Sequence, residues 1–95
     1  MEFLIRRTDG DWFDLHRDKF SETLRPTSFH SHQVEGWGDQ RIAIDGIEIS
    51  FSYEDPGIQI NFDGTMDEVV AAKIVAEIAD NITRVTGQGS RVVRL

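Results

Sequence analysis

Residues 41–62 read RIAIDGIEISFSYEDPGIQINF, and this stretch decides how the chain folds. From Ile47 to Glu54 every second residue is apolar, and the residues between are serine or glutamate. A period of two residues is typical of a β-strand with one buried face and one solvated face. The flanking sequences Asp45-Gly46 and Asp55-Pro56-Gly57 favour tight turns. We therefore predict a further strand beyond each turn.

The lengths of these turns determine which residues face each other. The two-residue first loop sets Ile44 opposite Ile47, and the longer second loop sets Phe51 opposite Ile60. In this register all the apolar side chains of the three strands fall on one face. A slip of one residue would move a strand's apolar set into water, so the agreement is evidence for the register. Residues 41–62 are predicted to form a three-stranded antiparallel meander.

A helix is predicted after the meander, because the apolar period lengthens beyond Gly64. The apolar residues at helical spacing are Ala71, Ile74, Val75, Ile78, Ile82 and Val85. Thr65-Met66-Asp67-Glu68 fits a capping box, in which the threonine oxygen accepts from an amide of the first turn and the glutamate reaches back. Gly87 ends the pattern. We expect helix 65–86 to pack its apolar stripe on the apolar face of the meander.

Short apolar segments at both ends of the chain, 3–5 and 91–95, are predicted to add strands to the sheet. The fold class is therefore α+β, with a small antiparallel sheet and one long helix on one of its faces. A chain of 95 residues has room for one hydrophobic core. Residues 1–95 are expected to form a single domain.

Residues 8–40 permit two interpretations. Thr8-Asp9-Gly10-Asp11 resembles a hairpin turn, after which residues 12–15 would pair back on the first strand. Alternatively, Phe13, Phe20 and Leu24 would lie on one side of a short helix that ends before Pro26.

Composition excludes several classes of function. The chain has no cysteine, which rules out disulfides, thiolate zinc sites and cysteine nucleophiles. No apolar run approaches the roughly 20 residues of a membrane span. The start, MEFLIRR, has too few apolar residues for a secretory signal, so a cytoplasmic location is expected.

The charge is negative and unevenly distributed. The net charge is −7, and seven acidic residues from Asp45 to Glu68 follow one another with no basic residue between them. Such a field repels phosphate backbones, which argues against binding of nucleic acid. It attracts a basic protein instead.

Residues 28–41 read SFHSHQVEGWGDQR and hold two of the three histidines. In an extended chain His30 and His32 project from the same face, as two ligands of a zinc or iron site do. A nearby carboxylate or the distant His16 would have to supply a third ligand. No histidine follows His32, so an exposed polar stretch before Trp37 is the favoured interpretation.

The predicted register also opposes two carboxylates on the solvated face, Glu48 and Asp63. Like charges directly opposed in a sheet cost about 0.2 to 1 kcal/mol. The pair is therefore tolerated, neutralised by Arg41 or by an arginine of the last strand, or used to bind a partner's arginine. Because Glu48→Gln relieves this repulsion, we expect it to leave the stability of the free protein unchanged or slightly higher. The candidate partner-binding residues on this face are Glu48, Asp63, Arg41, Ser50, Ser52, Gln59 and Asn61.

The function expected from these features is binding of a basic protein by the acidic sheet face or the 28–41 segment, without catalysis and without a cofactor. One alternative is a small metal-dependent enzyme centred on His30 and His32. Another is a homodimeric structural protein whose edge strand, 91–95 or 1–7, pairs with a second copy. Acid–base catalysis by the paired carboxylates ranks last, because a flat open sheet does not exclude water.

Overall fold

An antiparallel sheet of six strands forms the body of the protein, in a computed structural model that describes residues 1–54 and 57–95. The strands are β1 (Glu2–Arg7), β2 (His32–Gln33), β3 (Gln40–Ile44), β4 (Ile47–Glu54), β5 (Gly57–Asp63) and β6 (Ser90–Arg94). Their order across the sheet is β2-β3-β4-β5-β1-β6. The α-helices are α1 (Phe20–Thr23), which directly follows a 3-10 turn at Arg17–Lys19, and α2 (Glu68–Thr86). The α+β class predicted from the sequence is confirmed.

The predicted meander is β3, β4 and β5, and its register is confirmed. Ile44 pairs with Ile47, and Phe51 pairs with Ile60. The first turn has φ of 51° at Asp45 and 77° at Gly46, as a two-residue hairpin turn with two left-handed positions requires. The prediction for the second turn falls on Asp55 and Pro56, which lie outside the described residues.

Helix α2 begins three residues later than predicted. Its N-cap is Asp67, whose carboxylate accepts from the amides of Val69 and Val70 at 2.9 and 3.1 Å. The capping box on Thr65 is therefore wrong. An aspartate two residues closer to the helix satisfies the free amides of the first turn and, being charged, also interacts favourably with the helix dipole. The predicted end at Gly87 is confirmed, with φ of 73°.

None of the helices in the described ranges is long and apolar enough to cross a membrane. Instead, α2 covers one face of the sheet, and the core lies between them. Ile74, Ile78 and Ile82, one helical turn apart, are fully buried in one cluster with Ile49 and Phe51 of the sheet. Burial of each such side chain stabilises the fold by about 1.5 to 3 kcal/mol relative to exposure. We call the opposite side of the sheet, away from α2, the outer face.

Strand β1 lies inside the sheet, between β5 and β6. Phe3 pairs with Ile60 on one side and with Arg94 on the other. Strands at both chain ends were predicted, but their places in the sheet were not. Residues 1–7 therefore do not offer a free edge to a second copy, and only the C-terminal one of the two predicted strands lies at an edge.

The hairpin predicted after β1 is wrong. Residues 12–15 are described and form no strand, because both edges of β1 are already paired. The chain packs on side chains instead: Trp12 stacks on Tyr53 with ring centroids 5.2 Å apart, and the Tyr53 hydroxyl donates to the Phe13 carbonyl. The alternative of a short helix before Pro26 is closer, since α1 ends at Thr23.

The segment after α1 is tied to α2 by Glu77. Its carboxylate accepts from the amide and the hydroxyl of Thr27, both at 2.6 Å, and from the amide of Ser28 at 2.9 Å. These hydrogen bonds, led by that from the Thr27 hydroxyl, lower the pKa of Glu77. Together with Asn81, whose side-chain amide donates to the carbonyls of Thr23 and Arg25, Glu77 fixes the path of the chain toward β2.

Candidate functional site

The central strands bring the predicted polar residues together on the outer face. Glu48 of β4 lies opposite Asp63 of β5, and Ala43 flanks Glu48 on the other side. In the next row Ser50 stands between Arg41 of β3 and Asn61 of β5. Because side chains alternate along a strand, all these residues point away from α2. The geometry of the candidate surface is therefore as the turn lengths predict.

Arg41 bridges the two opposed carboxylates. Its Nε donates to Glu48 Oε1 at 2.7 Å, and its Nη2 donates to Asp63 Oδ2. The arginine side chain is only 10% exposed, whereas the two carboxylates are 46% and 42% exposed. The hydrogen bond to Glu48 is the largest cause of a raised pKa at Arg41, and Asp63 adds to it. The position that a partner's arginine was expected to take is occupied by the chain's own arginine.

A loop between β2 and β3 covers this ion-pair cluster. The guanidinium carbon of Arg41 lies 5.9 Å from the ring centroid of Trp37. A side chain at Gly36 would clash, since a Cβ there would lie 2.5 Å from Arg41 Cδ. Trp37 itself is 63% exposed. One face of the Trp37 ring therefore packs over the Arg41 guanidinium, while much of the ring remains exposed to solvent.

Asp39 fastens the end of this loop to β4. Its amide donates to the Phe51 carbonyl at 2.8 Å, and its carboxylate accepts from the Tyr53 amide at 2.7 Å. Arg17 donates to the same carboxylate at 3.0 Å. With Arg41 at one end and Asp39 at the other, Trp37 is held in place beside the sheet.

Between Trp37 and the sheet is a polar cleft of about 220 Å³. Its lining residues are Glu2, Trp37, Ser50, Ser52, Glu54, Gln59 and Asn61. Four of them are predicted site residues, namely Ser50, Ser52, Gln59 and Asn61. The other three predicted residues, Arg41, Glu48 and Asp63, form the ion-pair cluster that supports Trp37. Of the seven residues predicted from the sequence, four thus line the cleft and three form the ion-pair cluster beneath Trp37.

Three residues of the cleft, Glu2, Trp37 and Glu54, are not among the predicted site residues, although Trp37 lies in the 28–41 segment that the sequence offers as an alternative surface. Trp37 carried a signal, because a tryptophan between two glycines in a polar stretch is suited to a tight, exposed position. Glu2 carried none, because its place depends on β1 lying beside β5, where Glu2 pairs with Asn61. Glu54 was assigned to the solvated face but not to the site.

Two buried polar atoms beside the cleft have no hydrogen-bond partner among the described residues, Ser50 Oγ and Arg41 Nη1. These two residues are direct neighbours across β3 and β4. Buried polar groups are normally paired, because leaving one unpaired costs about 1 to 3 kcal/mol. Both atoms can donate to an oxygen.

The histidine pair lies at the β2 edge of the sheet. His30 and His32 are exposed, and His32 pairs with Ala43 on the edge strand β2. Arg25 fixes the chain between them by donating to the hydroxyl and the carbonyl of Ser31 at 2.9 and 2.6 Å. Within residues 1–54 and 57–95, no group of three histidine, aspartate or glutamate side chains is placed to hold a metal ion. The structure does not bring a third ligand to the pair.

No protein-family model matches this chain, no curated protein matches it, and no solved structure matches it.

Proposed function

We propose that the protein is a binding module without catalytic activity, and that the cleft beneath Trp37 receives a lysine or arginine side chain of a protein partner. The observation that carries the proposal is an exposed tryptophan held at the side of a polar cleft that is also lined by two glutamates. Tryptophan and charged contacts of this kind dominate the affinity of many protein interfaces. Cytoplasmic location is part of the proposal, and cell fractionation tests it.

The chemistry of the cleft favours a cation. The stem of a lysine or arginine can lie along the Trp37 ring, which attracts a positive charge through its π-face. The cationic head can then reach Glu2 or Glu54, and the side-chain carbonyl oxygens of Gln59 and Asn61 can accept its remaining hydrogens. The net charge of −7 adds a long-range attraction that steers a basic partner to this molecule.

The opposed carboxylates take a different part from the one expected from the sequence. Glu48 and Asp63 hold Arg41, and Arg41 supports Trp37, so this ion-pair cluster positions the aromatic side of the cleft. The partner's cation enters the adjacent row of residues instead. A main-chain carbonyl of the partner would satisfy Ser50 Oγ, whose hydroxyl is buried at the cleft.

Trp37 also provides the assay. In a Trp12→Phe protein, Trp37 is the remaining tryptophan, and its fluorescence reports on the cleft directly. We expect a blocked peptide with one central arginine to change this fluorescence saturably, with weak affinity, and more strongly at about 0.05 M than at 0.5 M salt as screening increases. A peptide with glutamate in place of the arginine should give no saturable change.

Two sets of variants locate the binding. Glu2→Gln combined with Glu54→Gln removes the charges of the cleft and should weaken binding of the arginine peptide several-fold. Glu22→Gln removes one exposed charge outside the cleft lining and serves as the control. If the arginine and glutamate peptides bind equally well, or if the double variant binds the arginine peptide with unchanged affinity, the cleft is not a binding site for a cation.

A further inference from the structure

Strand β6 ends the sheet and leaves backbone groups open for pairing. The Leu95 amide donates to the Glu2 carbonyl at 3.0 Å, and the Thr8 amide donates to the Gly89 carbonyl at 3.1 Å. In an antiparallel pair, alternate residues direct their N–H and C=O groups toward the same neighbour. The odd-numbered residues of β6 therefore bond to β1. The amides and carbonyls of Ser90, Val92 and Arg94 point to the open edge.

The side chains of this edge are basic and apolar, unlike the rest of the molecule. The strand reads SRVVR. Arg91 lies directly opposite Arg6 of β1 on the outer face, and it makes no ion pair with any described residue. Arg94 points to the helix side, where it donates to Glu68 and lies over the Phe3 ring. Opposed arginines are unfavourable for folding alone, and an anion at the edge would relieve them.

An apolar groove of about 550 Å³ runs beside this edge on the helix side. It is lined by Phe3 and Arg94 of the sheet and by a helix face on which Val69, Ala72 and Ala76 lie between the charged residues Glu68 and Lys73. Val69 is exposed, and so is Val92 of β6, which faces the same side. An extended segment paired with β6 would place its alternate side chains next to this groove.

We propose that β6 is a second interaction surface, which adds an extended, acidic and apolar segment of a partner protein as a seventh strand. If the partner's strand is antiparallel to β6, the partner residues opposite Arg94 and Arg91 are acidic. The two partner residues between these acidic positions are apolar, and one of them lies on each face of the sheet. The segment that complements Arg-Val-Val-Arg is therefore of the type Glu-Val-Val-Glu. Backbone hydrogen bonds supply the affinity and the alternating side chains supply the selectivity.

Charge argues for this occupant over a second copy of the chain. Two β6 strands paired with each other would bring the Arg91 side chains of both copies to the outer side of one seam, and Arg91 has no ion pair among the described residues, whereas Arg94 is paired with Glu68. Like charges this close oppose association, whereas glutamates at the same positions form charge-assisted hydrogen bonds. The surface is distinct from the cleft at Trp37 and has the opposite charge preference.

The probe is a short blocked peptide with Glu-Val-Val-Glu at its centre and a fluorophore at one end. We expect it to bind the protein with an anisotropy change, and an uncharged peptide of the same length with Gln-Val-Val-Gln at its centre to bind much more weakly. Val92→Pro should abolish binding, because the Val92 amide points outward and proline removes it without breaking the pairing with β1. Circular dichroism and thermal melting of this variant verify that it is folded.

Arg91→Glu tests the charge without a change of backbone. It should weaken binding of the acidic peptide by about tenfold or more, as the loss of a charge-assisted contact does. Lys19→Glu, an equal change of charge in the exposed Lys19–Glu22 pair, is the control and should have little effect. Equal affinity for both peptides, or retained affinity in Arg91→Glu, would overturn the proposal. A dimer in sedimentation that Val92→Pro dissociates would also overturn it in favour of a second copy.

Discussion

Arg41 holds together the polar residues of the outer face, because it contacts Glu48, Asp63 and Trp37. A nearly buried guanidinium is costly unless it is paired, and here two carboxylates and an aromatic ring surround it. The register of the meander put the carboxylates opposite each other, but only the path of the Arg41 side chain shows that the pair is neutralised. The ion pairs reverse the expectation that Glu48→Gln relieves a repulsion.

We predict that Arg41→Met destabilises the protein by about 1 to 3 kcal/mol, because it leaves Glu48 and Asp63 unneutralised; their partial exposure keeps the cost below that of a fully buried pair. Glu48→Gln should cost about 1 kcal/mol through the loss of one charge-assisted hydrogen bond. Urea unfolding measures both. Lys19→Met, which breaks an exposed pair, is the control and should change stability by less than about 0.5 kcal/mol. A stabilised Glu48→Gln protein would mean that Arg41 does not bridge the pair in solution.

The histidines give a second prediction for individual residues. His30 and His32 offer two exposed ligands, and a structural zinc site needs four. Zinc at concentrations well above those of the protein should leave the melting temperature almost unchanged, because a ligand raises stability only by binding the native state. A rise that His30→Ala and His32→Ala both remove would revive the alternative of a metal-dependent enzyme.

Among the secondary-structure elements, the start of α2 was predicted less accurately than its end, because two neighbouring residues are both suitable N-caps. Thr65 and Asp67 are both suitable N-cap residues, and sequence patterns rarely distinguish candidates two residues apart. The structure selects Asp67 through its hydrogen bonds to two amides.

We expect Asp67→Ala to destabilise the protein by about 1 kcal/mol, the usual cost of an N-cap aspartate. Thr65→Ala should remain within about 0.5 kcal/mol of the parent, because Thr65 is exposed and does not cap the helix. Chemical denaturation of the two variants compares them directly. If Thr65→Ala proved the more costly of the two, the helix would begin where the capping box places it.

Glu77 links helix α2 to the segment after α1 through its hydrogen bonds to Thr27 and Ser28. Its lowered pKa makes the strength of this link dependent on pH. A lowered pKa means that the ionised form stabilises the fold above the pKa of the unfolded state, about 4.3. This contribution is lost as the pH falls through the lower, folded pKa. Glu77→Gln should therefore be less stable than the parent at neutral pH, and the difference should shrink in acid.

Melting temperatures of the parent and Glu77→Gln proteins between about pH 7 and pH 3 measure this dependence. Asp80→Asn removes an exposed carboxylate of the same helix and is the matched control. A stability difference for Glu77→Gln that stays constant across this range would show that the carboxylate does not act through its charge.

At the scale of the whole molecule, the sequence predicted what local periods and turn lengths determine. The meander, its register and the buried stripe of α2 from Ala71 to Ile82 follow from neighbouring residues, whereas Val85, predicted to continue that stripe, is exposed in the last turn of the helix. The place of β1 between β5 and β6 did not, because pairing between strands distant in sequence leaves no local pattern. For the same reason the cleft was only half predicted: Ser50 and Asn61 follow from the meander, whereas Glu2 depends on β1 and Trp37 on the fold of a loop.

The molecule also separates its charges. The cleft on the central strands is lined by Glu2 and Glu54, whereas the open edge at β6 carries Arg91 and Arg94. Partners of opposite charge would therefore be directed to different parts of the same sheet.

The most direct test of the binding cleft is a map of amide chemical shifts as the arginine peptide is added to the isotope-labelled protein. We predict that the shifts concentrate on the Trp37 indole and on the amides of Ser52, Gln59 and Asn61, with little change along β6 or at His30 and His32. Shifts centred on the histidines or on β6, or an unchanged spectrum at peptide concentrations that saturate the fluorescence of Trp37, would contradict the assignment of the cleft as the binding site.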